Sequence, residues 1–555
     1  MIRALFFAAC LLVSGMSTAQ PSWTKKASKS VITLKTFKAD GTLLGSSGGF
    51  FLNEQGDAVS SYTLFRGAEK GIVLDADGRE YAVECMLGAN ETYDVAKFRV
   101  AGIKKSSALK VSSASLPVGT SAWLLPYREQ KNAIPGVVRK AEKFSSDHDY
   151  YTVAIQMPEN AVGCPLLNEQ GEVVGLMQAS VRQGDTLNYA VSASYAEALH
   201  ITGLSINDPA LRATKIKIDL PAELDQAVLT LYVAASTYDS LRYAQLVTDF
   251  IERFPSAPDG YEYRAQLNYR ANDFMAAQRD MEQAIKVADK KDEPHFSFSR
   301  LIYQKELYKS AIPFESWSLD KALQEAKLAY EFNPQPSYLH QQALVLYAQK
   351  NYQEASNVYA QLSSSSLRSP QLFYEASLCR EQLADTLGQL ALLDSAVALF
   401  NRPYLKEAAP FLLTRAQLRI EAGKYRDAVA DLNDYEALMK TQVNDNFYYI
   451  RHQADVGGRL FQQALNDINR AIELRPDYDL YHAEKASLQI RVGLYDEAIA
   501  TAKECIRLAP EYSDGYLFLG LAQCLTGKKE EGLPNLQRAK ELGDPQADDL
   551  IKKYQ

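Results

Sequence analysis

Histidine is scarce in this chain, with six among 555 residues, and only His148 and His200 precede residue 290. That shortage narrows the options for base catalysis at neutral pH, where histidine is the usual participant. Cysteine is sparse as well. Apart from Cys10, the five cysteines (Cys85, Cys164, Cys379, Cys505, Cys524) are odd in number, scattered and without CxxC spacing. No zinc or disulfide framework follows from them, and no metal or cofactor motif is present. No Lys/Arg run interleaved with aromatics occurs, and the net charge of -8 argues against a nucleic-acid partner. No apolar stretch after the N-terminus has the length of a membrane span. What is abundant is tyrosine, 33 residues, in a chain too long for one hydrophobic core.

The first 19 residues have the form of a cleaved export signal. Arg3 supplies the positive start, Ala4 to Val13 the apolar stretch, and Ser17-Thr18-Ala19 a small-x-small site before Gln20. From there to about residue 205, short β-branched and aromatic runs alternate with Gly, Asn and Asp. They include Ser30–Phe37, Tyr81–Met86, Val95–Val100, Tyr151–Gln156 and Glu172–Met177, a spacing that predicts an antiparallel sandwich or barrel. Residues 203–224, with Asn207-Asp208-Pro209 and Pro221, read as a connector. Beyond 225 the apolar period is helical.

The helical part repeats. Units begin at Asp445, Asp479 and Ser513, 34 residues apart, and small residues recur in each: Ala486 and Gly520 on the first helix, Ala464 and Ala498 on the second. Pro476 and Pro510 close two units, and earlier copies begin near Pro258, Pro336 and Ala409, with further ones near Asp225, Tyr303 and Ser369. These residues resemble the tetratricopeptide (TPR) family over 225–543, in eight or nine units, with 544–555 as a capping helix. The resemblance implies an all-α superhelical solenoid that binds proteins or peptides along the first helix of each pair. Carried onto the most regular units, the groove positions are Asn446, Tyr449 and Gln453; Leu480, Ala483 and Ser487; Asp514, Leu517 and Leu521. Their mixed polarity suits an extended segment or a helix.

Residues 30–202 carry a second resemblance. Gly45–Leu52, Val59–Ala68, Tyr93–Phe98, Gly119, Gly136–Val138 and Asn160–Leu166 succeed one another as the landmarks of the trypsin-like serine proteases do, especially the Do-like periplasmic branch. That implies an all-β double barrel. In this register Thr63 takes the place of the catalytic histidine and Val162 that of the serine, while Asp94 remains. Threonine is no base at neutral pH and valine no nucleophile, so triad chemistry is lost. Cys164 is expected as a buried thiol, since no base or cation flanks it. His148 is expected in a solvated loop and His200 at a helix end. The chain is thus expected to be an exported, non-catalytic interaction protein of a Gram-negative periplasm or envelope. The alternatives are an active trypsin-like endopeptidase and an envelope-assembly chaperone.

Overall fold

The computed structural model describes residues 20–127, 132–145, 147–159, 161–179 and 186–555. The expected signal, residues 1–19, and Asn160 lie outside them. The chain divides into two compact units, one ending at Val287 and one beginning at Ala288.

In the first unit, six strands close a barrel: β1 (Val31–Phe37), β2 (Leu43–Phe51), β3 (Asp57–Ser60), β4 (Lys70–Leu74), β5 (Glu80–Asn90) and β6 (Val95–Val100). Their order is β1-β2-β3-β6-β5-β4. Six more close a second: β7 (Ser121–Leu124), β8 (Ile134–Phe144), β9 (His148–Ala154), β10 (Pro165–Leu167), β11 (Val173–Met177) and β12 (Leu187–Ser192), ordered β10-β11-β12-β9-β8-β7. All strand pairings are antiparallel, and closure leaves no open sheet edge within either barrel. Side chains alternate as a curved sheet demands. In β9, Asp149, Tyr151 and Val153 point into the core while their neighbours face outward. The strand over Leu187–Ser192 carries no sequence signal comparable to the others, because its polar Asn188 is buried and bonded to the Ile155 carbonyl at 2.9 Å.

The connector is folded onto the first barrel. Ala210, Leu211, Ile216 and Ile218 complete that barrel's core with Phe65, Met86 and Phe98. Met86 donates its N–H to the Lys217 carbonyl (2.7 Å) and accepts from the Asp219 N–H (3.0 Å), a short parallel bridge alongside β5. A ladder of alternating charge crosses the same place. Arg99 bonds Asp57 at 2.9 Å and Asp219 at 3.3 Å, and Arg253 bonds Asp219 at 2.5 Å.

From Leu224 onward the described residues form nine antiparallel helix pairs and a final helix, Ala547–Tyr554. Two pairs belong to the first unit and the rest to the second. The copy expected near Tyr303 begins instead at Asp292, where Asp292 and Glu293 occupy the first turn of a 17-residue helix and suit its dipole. Small residues sit where backbones meet. Ala416, Ala428, Ala464, Ala486 and Ala498 are fully buried. At Gly520 a Cβ would meet the Gly532 carbonyl at 2.8 Å and Leu536 at 2.9 Å.

Alanine normally stabilises a helix interior by about 1 kcal/mol over glycine. At Gly520 the contact with backbone outweighs that gain, because overpacking costs about 1–3 kcal/mol. Gly520→Ala should therefore lower the melting temperature of the helical region in a circular-dichroism melt, whereas Gly→Ala at a helix site with free space would raise it.

Candidate functional site

Thr63 and Asp94, which the sequence reading sets at triad positions, lie at the ends of β3 and β6. A short 3-10 turn, Tyr62–Phe65, comes after β3 and presents Thr63 to solvent. Asp94 directly precedes β6 with φ of 49°, a left-handed conformation that is uncommon for a non-glycine residue. Its side chain holds it there. One carboxylate oxygen accepts from the Thr63 N–H (2.7 Å) and hydroxyl (2.8 Å), and the other from the Ser61 hydroxyl (2.6 Å). Asp94 is thus a polar residue satisfied at a strand start, and Ser61 is a partner that the sequence pattern did not single out.

The loop bearing Val162 docks on β2. The Val162 carbonyl accepts from the Gly48 N–H at 2.8 Å and the Ser47 hydroxyl at 2.6 Å, and Ser60 donates to the Gly48 carbonyl at 2.7 Å. Side-chain atoms leave no room for anything larger than glycine at position 48, since a Cβ there would run into the Cys164 sulfur. Gly163, at φ of +77°, donates its N–H to Met177 (2.8 Å), and the Cys164 N–H goes to Ala161 (3.1 Å). These two amides are committed to the fold. Val162 itself is half-buried.

Cys164 is fully buried, and desolvation pushes its thiol up to about 12. The histidines are engaged elsewhere. His148, expected in a solvated loop, instead begins β9, half-buried, with Nδ1 3.0 Å from the Ser194 hydroxyl and its ring against Phe144 and Tyr195. Of the rings that draw it inward, Tyr195 is distant in sequence, which is why the local polar run misled. His200 lies just past a helix end, with Nδ1 2.9 Å from the Ala198 carbonyl.

In the repeats, Asn446 and Gln453 are exposed, and Tyr449, Leu480, Ser487, Asp514 and Leu521 are half-buried. Two expected groove positions are not surface. Ala483 is 1% exposed and Leu517 is 2% exposed. Leu517 joins Leu536, Ala539 and Ala547 in a cluster that the last helix covers with Leu550 and Ile551. On the Asp445–Gly457 helix, Gln453 donates to the Tyr449 hydroxyl at 2.9 Å, and Tyr449 lies 5.2 Å from the Tyr481 ring.

Sequence reasoning also passed over buried and half-buried ion pairs between the helices of a pair. Arg264 bonds Asp280 (2.7 Å), Arg415 bonds Asp431 (2.6 Å) and Arg451 bonds Asp467 (2.6 Å), each 16 residues apart. That constant spacing was the available signal. A cavity of about 900 Å³ between β3, β6, the connector and the Ser240–Arg253 helix was likewise not foreseen. Its Arg99, Asp219 and Arg253 are bonded to one another and Lys97 to the Glu197 (2.6 Å) and Leu199 (3.0 Å) carbonyls.

Residues 18–176 match the family model of the trypsin-like peptidase domain. The N-terminal region is therefore a trypsin-like peptidase domain, and the C-terminal region is an all-α repeat array with relatives among tetratricopeptide proteins. The small glutamine-rich tetratricopeptide repeat-containing protein 2 of Saccharomyces cerevisiae is 25% identical over 143 residues, 26% of this chain and 41% of that protein. Its namesake in Mycosarcoma maydis is 30% identical over 90 residues, 16% of this chain and 25% of that protein. The chain thus spans less than half the length of these curated relatives. Among solved structures, the Rv3671c protease of M. tuberculosis in its active form is 16% identical, with a TM-score of 0.29 over 36% of this chain and 86% of that one. An inactive form gives 16% and 0.27 over 32% and 88%.

Buried thiols with raised pKa values are poor nucleophiles. Cys85, Cys164, Cys379, Cys505 and Cys524 are all free and buried, with Cys85 and Cys505 also raised to about 12 by burial. In a colorimetric thiol assay at pH 8 the native protein should react at none of these five within minutes and at all five once denatured.

Proposed function

We propose that this chain is an exported protein-interaction scaffold, in which the barrel pair keeps the peptidase fold without its hydrolytic chemistry and the helical repeats hold a protein or peptide. The observation that carries this reading is the Asp94 carboxylate, whose oxygens are taken by Thr63 and Ser61. In a working triad that carboxylate orients an imidazole, which takes the proton of a serine hydroxyl. Threonine cannot serve as that base, and Val162 supplies no nucleophile in the docked loop. Losing either group costs several powers of ten in rate. The half-buried and exposed positions along the Asp445–Gly457 and Asp479–Arg491 helices offer a surface of the kind that repeat arrays use for partners.

For export, Gln20 is informative. Its side chain donates to the Ala133 carbonyl (3.1 Å) and accepts from the Ala133 N–H (2.7 Å), so cleavage just before it would leave this anchor intact. The destination is the periplasm or envelope of a Gram-negative bacterium. Cell fractionation with N-terminal sequencing should find a species beginning at Gln20 outside the cytoplasm; an uncleaved cytosolic chain would overturn this.

The purified mature protein should take no label from a serine-directed fluorophosphonate and release no fragments from casein. Labelling of one serine in residues 30–202 together with turnover would favour the endopeptidase alternative. Partner capture should fail for a chain carrying Asn446→Glu and Gln453→Glu while its melting curve stays within about 1 °C of wild type, because exposed positions contribute little to stability. Undiminished capture would move the binding surface away from this groove. Prevention of aggregation of many unrelated unfolded clients would favour the chaperone alternative.

A further inference from the structure

In three of the nine helix pairs, one place on the first helix faces one place twelve residues later on the second, and a side-chain hydrogen bond crosses between them. In the Pro258–Val287 pair Asn268 donates to Asp280 at 2.9 Å. In the Ala409–Met439 pair Arg419 donates to Asp431 at 2.7 Å, and in the Ser513–Glu541 pair Asn535 donates to Gln523 at 2.8 Å. The donor changes identity and even side, yet the tie is kept.

The Asp445–Leu474 pair puts two acids there, Asp455 and Asp467. Both oxygens of Asp467 are engaged by Arg451, at 2.6 Å from Nε and 2.8 Å from the guanidinium NH2. Asp455 is 1% exposed, and its Oδ1 has no donor among the described residues. Facing it are Arg451 and His452 of its own helix and Asp467 of the next. Glu436 of the preceding pair stands on Arg451 at 2.6 Å, and Glu484 of the succeeding pair stands 3.9 Å from His452. Arg451 spends four of its five N–H groups on Asp467, Asn433 and Glu436, and none of these bonds reaches Asp455. A second carboxylate here would be a buried, unmatched charge beside a like one.

We propose that Asp455 is held protonated in the folded chain and donates to Asp467, so that this repeat is tied by a titratable hydrogen and loosens as pH rises. Burial, followed by the charge of Asp467, pushes the Asp455 carboxyl up to about 7, against the pull of Arg451 and His452. Its unfolded value is about 3.9. The folded state therefore holds a proton that the unfolded state has released across that interval. The stabilisation is complete below about pH 4, falls by up to about tenfold in the folded-to-unfolded ratio per pH unit, and is spent above about pH 7.

Hydrogen–deuterium exchange of the full chain, corrected for intrinsic rates, tests this. Protection of peptides from 445–474 should fall at least about tenfold between pH 5 and pH 8 relative to peptides from 479–508. Asp455→Asn places a permanent donor at the tie, as Asn268 does. The advantage of the variant over wild type should grow at least about tenfold between pH 5 and pH 8. A wild-type protection ratio between the two segments that stays flat across this range overturns the proposal, whether or not the variant folds. So does a variant whose difference from wild type is the same at both pH values.

Discussion

A helix pair has two faces to cover and can cover only one by itself, so each pair beyond residue 224 depends on how closely its backbones approach. Alanine and glycine set that distance. Where they stand, as at Ala428, Ala498 and Gly520, the helices come near enough for the second requirement to arise: polar groups trapped between them must find partners inside the interface. The buried arginine–aspartate pairs answer it. Their net contribution to stability is modest, since desolvation offsets attraction, but removing one member strands a charge at a cost of about 3–5 kcal/mol. They act as selective fasteners for one register of helix against helix.

The barrels are governed by an analogous closeness. Gly48 admits the loop at Val162, and Gly163 turns that loop through a conformation that side chains resist. Val162, Gly48 and Ser60 are then joined by hydrogen bonds that run from one barrel into the other. Thr63, Asp94 and Val162 are held there by packing and by the Asp94 network. The connector adds its own staple, because Ile216 and Ile218 sit in the first barrel's core while Asp219 reaches Arg253 of the helical region in the same unit.

Much of this was legible without coordinates. The short β-branched and aromatic runs at β1, β6 and β11, and the 34-residue recurrence from Asp445, express backbone geometry that any sequence with those folds must respect. Places where the sequence misled share a cause. His148 looked solvated because its covering rings, Phe144 apart, come from elsewhere in the chain. Leu517 looked like groove surface because the helix that covers it is the irregular last one. The start of the third helix pair was displaced because a charged run, Lys290 to Glu293, reads as loop until its place at a helix N-terminus is known.

The sequence by itself determined the two architectures and the order of the barrel landmarks, since each is written in local period or in a short motif. The tertiary structure alone decided which acid faces which base. Asp455, Asp467 and Arg451 are ordinary residues in a polar helical sequence; burial in one interface, with more acceptors than donors, is what makes one of those acids hold a proton. Charge state depends on desolvation and on neighbours that folding brings together, and neither is a property of the chain read in order.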